Sequence, residues 1–284
     1  MPEKPEVLTV VSALKKKIIG KKIINVDVLW DNIIVTPSVS EFKDKLKNQV
    51  ILSIDTRGKW ILIHLSKNTL IIHLRMEGKF FFREHKDPIN KHEHVIFTFD
   101  DNTEMRFHDV RKFGKMHLLS KDNYLNESPL KEMGYEYYDS NLNENYLYNK
   151  LQKKSISIKT SLLDQSIITG IGNIYDDEIL FLSNISPLRK SNTITKNECR
   201  KIINNTKKVL DSAVELGGTT IKSFTSSEGV HGLFQNKLLV HGKNNEKCPV
   251  CNNMIKKIKI NGRGTYYCEN CQKWWFFSLN LFLF

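Results

Sequence analysis

Two stretches of this chain carry residue types and spacings that can do chemistry. KCPVCNNMIKKIKINGRGTYYCENCQK sets Cys248, Cys251, Cys268 and Cys271 as two C-x2-C pairs separated by sixteen residues. Each pair can wrap one edge of a tetrahedral four-thiolate site, which reads as one Zn2+ per chain rather than a redox pair. Between the pairs, Asn261-Gly262 is a tight-turn signal that closes a hairpin. The hairpin carries Lys256, Lys257, Lys259 and Arg263, and Arg263 at the turn is set to meet a phosphate or a groove. The other stretch is the start, MPEKPEV. Proline at the second position permits removal of Met1, which leaves Pro2 as a secondary amine with Glu3 beside it. Either this proline merely starts a helix or the N-terminus is itself the reagent.

A weaker signal lies at LLDQSIITGIGNIYDDE (162–178), where Gly170-Ile-Gly172-Asn173 separates two apolar, helix-like runs. Asn173 is placed to cap the second helix, and freed N–H groups at such a start suit a DNA phosphate. Asp176 and Asp177 close behind would repel one.

The bulk composition agrees with a polyanionic partner. The 284 residues hold 43 Lys plus Arg against 31 acids, a formal charge of +12, and 40% are hydrophobic. An excess of that size points to nucleic acid before acidic membrane. MPEKPEVLTVV lacks the pattern of a signal peptide. The apolar end WWFFSLNLFLF (274–284) is eleven residues long, short of the roughly 20 that span a bilayer. The expectation is a cytoplasmic chain, in the bacterial cytosol and nucleoid, with reduced thiols and no membrane partner.

These residues need elements to position them. Val7, Val10, Val11, Leu14 and Ile18 fall on one face of a helix that Gly20 ends. From Lys22 the period becomes two, with Ile24, Val26, Val28 and Trp30 alternating. Strand-like runs follow at 50–55, 59–65, 69–74, 94–100, 104–109 and 115–119, divided by turn signals. The polar stretch 135–146 reads as part of a hinge. A long helix then starts at a capping box, Thr195 with Glu198, and stops at Gly217. Cys199 lies on its apolar side with Ile202 and Ile203 and reads as core.

MPEKPEV, HLRMEGKF (73–80), HDVRKFGK (108–115), LLDQSIITGIGNIYDDE, GGTTIKSF (217–224) and the four-cysteine unit occur together in this order. The set resembles the formamidopyrimidine-DNA glycosylases over nearly the whole chain up to Lys273. The resemblance implies an α+β fold. An N-terminal β-sandwich with its helix spans 1–134, and a hinge spans 135–150. A helical domain with a helix–two-turn–helix element and a lesion-covering loop spans 151–246, followed by a zinc finger at 247–273. DNA is expected across the cleft between the domains, bound by a monomer.

It further implies a bifunctional DNA glycosylase/AP lyase acting on oxidised purines in damaged double-stranded DNA. Pro2 matches the nucleophile that attacks C1′ of the lesion. An α-amino group, with a pKa of roughly 7.7–8.0, is far less protonated at neutral pH than a lysine at about 10.4. Glu3 matches the acid beside it, and Glu6 a second carboxylate. Lys59 matches a lysine near the lesion's phosphate, where residue type alone suggests a solvated hairpin lysine. Met76, Arg111 and Phe113 match side chains that fill the stack when a base is extruded. Asn173 and Arg263 match a pair that grips phosphates, and Lys159 is a further expected phosphate contact. The stretch 222–237 matches the loop over the extruded base. Lys4 departs from the pattern, where an apolar residue is commonest, and it adds charge near the amine. Two alternatives share much of this pattern. One is the endonuclease VIII group, which acts on oxidised pyrimidines; the other is a zinc-dependent DNA-binding protein without chemistry.

Overall fold

The computed structural model describes residues 1–219 and 232–273. The chain forms two compact units, Met1–Met133 with Asp211–Asn236, and Gly134–Leu210 with Lys237–Phe284. Asp211 to Thr219 and Gly232 to Asn236 group with the N-terminal unit, where the sequence reading places them with the helical domain.

In the first unit, helix α1 (Lys4–Ile18) has Pro5 in its first turn, where a missing N–H costs nothing. Val7, Val10, Val11, Leu14 and Ile18 are all buried, as the spacing predicts. A four-stranded sheet has the order β1 (Ile23–Val28), β7 (Glu93–Phe99), β8 (Thr103–His108), β6 (Lys79–Glu84). A five-stranded sheet has the order β2 (Ile34–Thr36), β9 (Lys115–Ser120), β5 (Asn68–His73), β4 (Trp60–Leu65), β3 (Ile51–Arg57). Every pairing is antiparallel except β2 with β9. Helix α2 (Val39–Leu46) begins at Ser38, whose hydroxyl accepts from the Glu41 N–H.

One core joins the two sheets and α1: Phe97, Phe99, Met105 and Phe107 from one side, Ile54, Ile61, Ile63 and Ile72 from the other. Trp60, Leu62, Ile71 and Leu119 form a second cluster with Leu130. With both faces covered, β4 loses the polar alternation of a half-exposed strand. In β1 the predicted alternation fails for a different reason. A bulge between Ile23 and Asn25 turns Ile23 inward together with Val26, three residues on.

In the second unit the expected hinge is ordered structure. The Gly134 N–H donates to the Gln165 carbonyl, Tyr135 bridges Ile168, and residues from Glu144 to Leu151 form helix α3. A Cβ on Gly134 would lie 2.3 Å from the Ile167 carbonyl oxygen, so only glycine fits this approach. Short α4 (Ile158–Leu162), α5 (Asn173–Leu182) and long α6 (Lys196–Glu215) follow. The capping box of α6 forms as read: Thr195 N–H donates to Glu198 Oε2 at 2.9 Å, and Glu198 N–H to Thr195 Oγ1 at 3.3 Å. β10 (Lys256–Ile260) and β11 (Arg263–Tyr267) close around Asn261 and Gly262, at φ +43° and +76°, as a type I′ turn requires.

Candidate active site and metal centre

The first unit carries the N-terminal dipeptide. Pro2 and Glu3 are buried with Met1 still attached. Glu6 fixes them: its Oε2 accepts from the Glu3 N–H at 2.8 Å. Its Oε1 accepts from the Thr219 N–H at 2.8 Å and the Thr219 hydroxyl at 3.1 Å. The approach requires Gly218, which sits at φ +79° and whose added Cβ would meet Glu6 Oε1 at 2.6 Å. The carboxylate thus joins the start of α1 to the segment after α6, a role its sequence position does not reveal.

Lys59 lies in the turn between β3 and β4 and is 5% exposed, so it is not the solvated hairpin lysine that residue type suggests. Trp60 stacks edge-on against His73, with ring centroids 4.7 Å apart. Burial first, then the charges of Arg75 and Lys59, push His73 down to about 3. The neutral ring accepts the Arg75 N–H at Nδ1, 2.9 Å away, and that bond shapes the turn leading to Met76.

Two loops present the expected stack-filling side chains. In the loop after β8, Asp109 is fully buried and its carboxylate collects the N–H groups of Arg111, Phe113 and Gly114 at 3.1, 2.8 and 2.7 Å. His94 Nε2 donates to the Asp109 carbonyl at 2.9 Å. On this frame Phe113 is 48% exposed, and the Arg111 guanidinium lies 4.7 Å from its ring centroid. Met76, in the loop between β5 and β6, is half-buried. Both loops rest on Phe107. A Cβ on Gly78 would come within 2.8 Å of that ring, and one on Gly114 within 2.5 Å.

The second unit carries the glycine turn and the cysteines. The turn is built by Gln165, whose amide donates to the Leu163 and Ile171 carbonyls and whose oxygen accepts from the Gly170 N–H. Gly172, not Asn173, is the N-cap of α5. Asn173 is the first helical residue, and its amide donates to the Gly264 carbonyl at 2.8 Å, next to exposed Arg263. The sequence pair Asn173 and Arg263 is thus brought together within one unit.

Lys159 departs from expectation. It is fully buried, its Nζ 2.7 Å from Asp177 and 3.5 Å from Asp176, and an interior ion pair does not reach a phosphate. The same geometry removes the objection that Asp176 and Asp177 repel an anion, because both carboxylates turn inward. Asp177 Oδ2 also takes His241 Nδ1 at 2.6 Å and the Tyr266 N–H at 3.2 Å. Glu178 accepts the N–H groups of Leu239, Val240 and His241 at 2.8–3.0 Å. Burial raises the Glu178 pKa against the lowering effect of those three bonds.

The four cysteine sulfurs lie within 4.8 Å of one another, with Cys248 and Cys271 3.8 Å apart and Cys251 and Cys268 3.4 Å apart. Ligand bonds of about 2.3 Å in a tetrahedron set sulfurs about 3.8 Å apart, so the set fits a metal of that kind. Cys199 stays in the core of α6, where burial pushes its thiol up to about 12. Among the described residues no helix is long and apolar enough to cross a membrane. Residues 222–231 of the expected lesion loop and the tail 274–284 lie outside the described residues; Phe234–Lys237, at the loop's end, forms a short 3-10 turn.

Three family models match in chain order: the formamidopyrimidine-DNA glycosylase N-terminal domain over 1–116, its H2TH domain over 133–225, and a zinc finger found in FPG and IleRS over 245–273. Together they define a class, the helix–two-turn–helix glycosylases with a C-terminal zinc finger. A formamidopyrimidine-DNA glycosylase of Oceanobacillus iheyensis is 44% identical over 273 residues, covering 96% of this chain and 98% of the relative. The Listeria monocytogenes protein of the same name is 42% identical, covering 96% of this chain and 100% of its own. Wild-type Lactococcus lactis Fpg, solved with an N7-benzyl-Fapy-dG containing DNA, superposes with TM-score 0.89 at 37% identity, covering 96% of this chain and 100% of that one. Lactococcus lactis Fpg with an abasic site containing DNA gives 0.88 at 36% identity, covering 95% and 99%. The chain belongs to the formamidopyrimidine-DNA glycosylase family and is an enzyme, a DNA glycosylase with abasic-site lyase activity.

Proposed function

We propose that this chain excises oxidised purines, 8-oxoguanine and formamidopyrimidines, from duplex DNA through its N-terminal proline, then cuts the strand by β,δ-elimination. The observation that carries the reading is the buried Pro2–Glu3 dipeptide, held at the start of α1 by Glu6. Once Met1 is removed, the Pro2 nitrogen attacks C1′ of the lesion. The bond to the base breaks and the base leaves protonated. Glu3 protonates the ring oxygen O4′ as the sugar opens, the nitrogen loses its proton, and an iminium ion forms. The iminium acidifies the C2′ proton, whose loss expels the 3′ phosphate; the conjugated iminium that results acidifies the C4′ proton, whose loss expels the 5′ phosphate. Hydrolysis of the iminium frees the proline amine. Lys59, buried in the turn between β3 and β4, holds the phosphate next to the lesion. Met76, Arg111 and Phe113 occupy the space left by the extruded nucleotide.

Asn173 and Arg263 grip phosphates around the lesion. Zn2+ held by Cys248, Cys251, Cys268 and Cys271 supplies a structural staple and no bond-making chemistry. The Fapy-dG-type and abasic DNA bound by the two Lactococcus proteins are the substrate and intermediate types this reading assigns. The enzyme acts as a monomer on the chromosome in the bacterial cytosol.

Borohydride trapping tests the reading. Processed protein, an 8-oxoguanine:cytosine duplex and borohydride give a covalent adduct that Pro2→Gly weakens and retained Met1 abolishes. Absence of adduct from processed protein overturns it in favour of binding without chemistry. Faster excision of thymine glycol than of 8-oxoguanine assigns the oxidised-pyrimidine substrate instead.

A further inference from the structure

The loop after β8 holds one residue in a backbone conformation that its type does not favour. Lys112 sits between Arg111 and Phe113 at φ +58°. A Cβ crowds that left-handed region, and glycine and asparagine enter it more readily than lysine. Such a conformation persists where its surroundings hold it. From inside, Asp109 binds the backbone: its carbonyl accepts the Lys112 N–H at 3.2 Å, and its carboxylate takes the N–H groups of Arg111, Phe113 and Gly114. From outside, the Lys112 side chain rests on Trp30, with Nζ 3.7 Å from the ring centroid. Tryptophan is the aromatic side chain that attracts an ammonium most strongly.

Trp30 is itself fixed. It follows β1, whose Val28 pairs with Val95, and its ring packs half-buried against the sandwich core. The Leu29 N–H donates to the His94 carbonyl at 2.8 Å, and the His94 ring reaches the Asp109 carbonyl. Lys115 Nζ donates to the Asn32 carbonyl at 2.6 Å, a second tie between the same two segments. The stretch after β1 thus forms an outer wall for the loop that bears Arg111 and Phe113.

We infer that Trp30 is a positioning residue: by holding the Lys112 ammonium on its ring face, it keeps the backbone between Arg111 and Phe113 left-handed and so presents both side chains ready to fill the base stack. The inference rests on the reading of Arg111 and Phe113 as stack-filling residues. The dihedral angles of Lys112 set the direction in which its two neighbours leave the loop. Without the ring the lysine favours other angles, and the loop has to reorder each time it meets DNA.

The test uses processed full-length protein and a duplex with a tetrahydrofuran abasic analogue opposite 2-aminopurine. Trp30→Leu keeps apolar bulk against the core and removes the ring face, and Lys112→Met keeps the stem and removes the charge. The protein concentration at half-maximal 2-aminopurine signal is expected to rise about threefold to fivefold in each, the factor that one exposed cation–π contact is worth. The two combined should do no more than either alone, because they remove the same contact. In the Trp30→Leu background, Lys112→Asn should bind about threefold tighter than Lys112→Met. Both lack the charge, and only asparagine tolerates the left-handed conformation by itself. Thermal melting checks that each variant is folded. Full additivity of Trp30→Leu and Lys112→Met, or no advantage of asparagine over methionine, overturns the inference and leaves Trp30 a packing residue. An undiminished signal in Phe113→Ala overturns the stack-filling reading instead. The Lys112 side-chain protons of the DNA-free protein then decide the Trp30 contact: their upfield ring-current shift is lost in Trp30→Leu if the ring holds the ammonium, and its absence in wild type overturns the hold.

Discussion

In the first unit Phe113 and Met76 stand on loops braced by a buried ring, Phe107, and by a carboxylate, Asp109, that binds only backbone N–H groups. In the second unit Asn173 and Arg263 stand on elements tied by buried polar groups: Lys159 with Asp177, Glu178 with three N–H groups, and four cysteine sulfurs gathered within 4.8 Å. The sandwich has an apolar core spanning two sheets, and its packing on Phe107 together with the Asp109 carboxylate sets the loop geometry. Around the hairpin the described residues form a small cluster of Phe181, Val240, Ile255 and the cysteines, so buried charge and the four-cysteine site share that task there. The two units should therefore fail under different insults.

The largest expected effect is removal of the metal. Chelation, or Cys248→Ser, should unfold the hairpin that carries Arg263 and lower duplex affinity by about 100-fold or more, since structural zinc sites contribute on the order of 10 kcal/mol to folding. Near-ultraviolet signals from Trp60 should persist. Loss of both together would show that the sandwich also depends on the metal, and would break the contrast. Next is Lys159→Met, which leaves two buried carboxylates without their counter-ion and should cost about 3–5 kcal/mol in urea unfolding. An unchanged midpoint would mean that this pair is not what holds α5. Gly114→Ala forces a Cβ into the Phe107 ring and should cost about 1–3 kcal/mol. Stacking into an abasic duplex should be weakened as well, read by 2-aminopurine fluorescence opposite the lesion.

Acid should separate the units too, with a smaller effect. His73 has a folded pKa of about 3 against 6.5 when unfolded. Between those values the unfolded chain binds the extra proton, so stability falls as pH drops from 6.5 towards 3, by up to about 1.4 kcal/mol per pH unit. Burial also lowers His64, His94, His108 and His117 in the same unit. In the second unit the Arg189 guanidinium and the Thr195 N–H hold Glu198 below the ordinary carboxyl value against the raising effect of burial. That stability is complete above the unfolded value of 4.5 and is lost only as pH falls below it. Unfolding measured from pH 7 to 5 should weaken the sandwich first, and His73→Gln should flatten that slope. A slope unchanged by the substitution would assign the acid sensitivity elsewhere.

What was legible in the sequence was local. The C-x2-C pairs, the Asn261-Gly262 turn, the apolar face of α1 and the Thr195–Glu198 box each depend on residues within a turn or a hairpin. What was hidden depended on partners far along the chain. Nothing near Glu178 announces that it clips residues 239–241, and nothing near Lys159 announces a counter-ion eighteen residues away. The bulge at Ile23 follows from the register with Phe99. Asp109 did leave a trace: an aspartate two to five positions before Arg111, Phe113 and Gly114 is the spacing of a carboxylate that organises its own following loop.

Phe107 lies under both loops, that of Met76 and that of Phe113, and that sharing constrains how the protein can change. A substitution in that ring displaces Met76 and Phe113 together, so the two tips cannot drift apart by gradual repacking beneath them. Variation in how deeply each tip inserts has to arise at the tips themselves. A laboratory effort to retune the proposed lesion contacts should begin there and keep the aromatic floor.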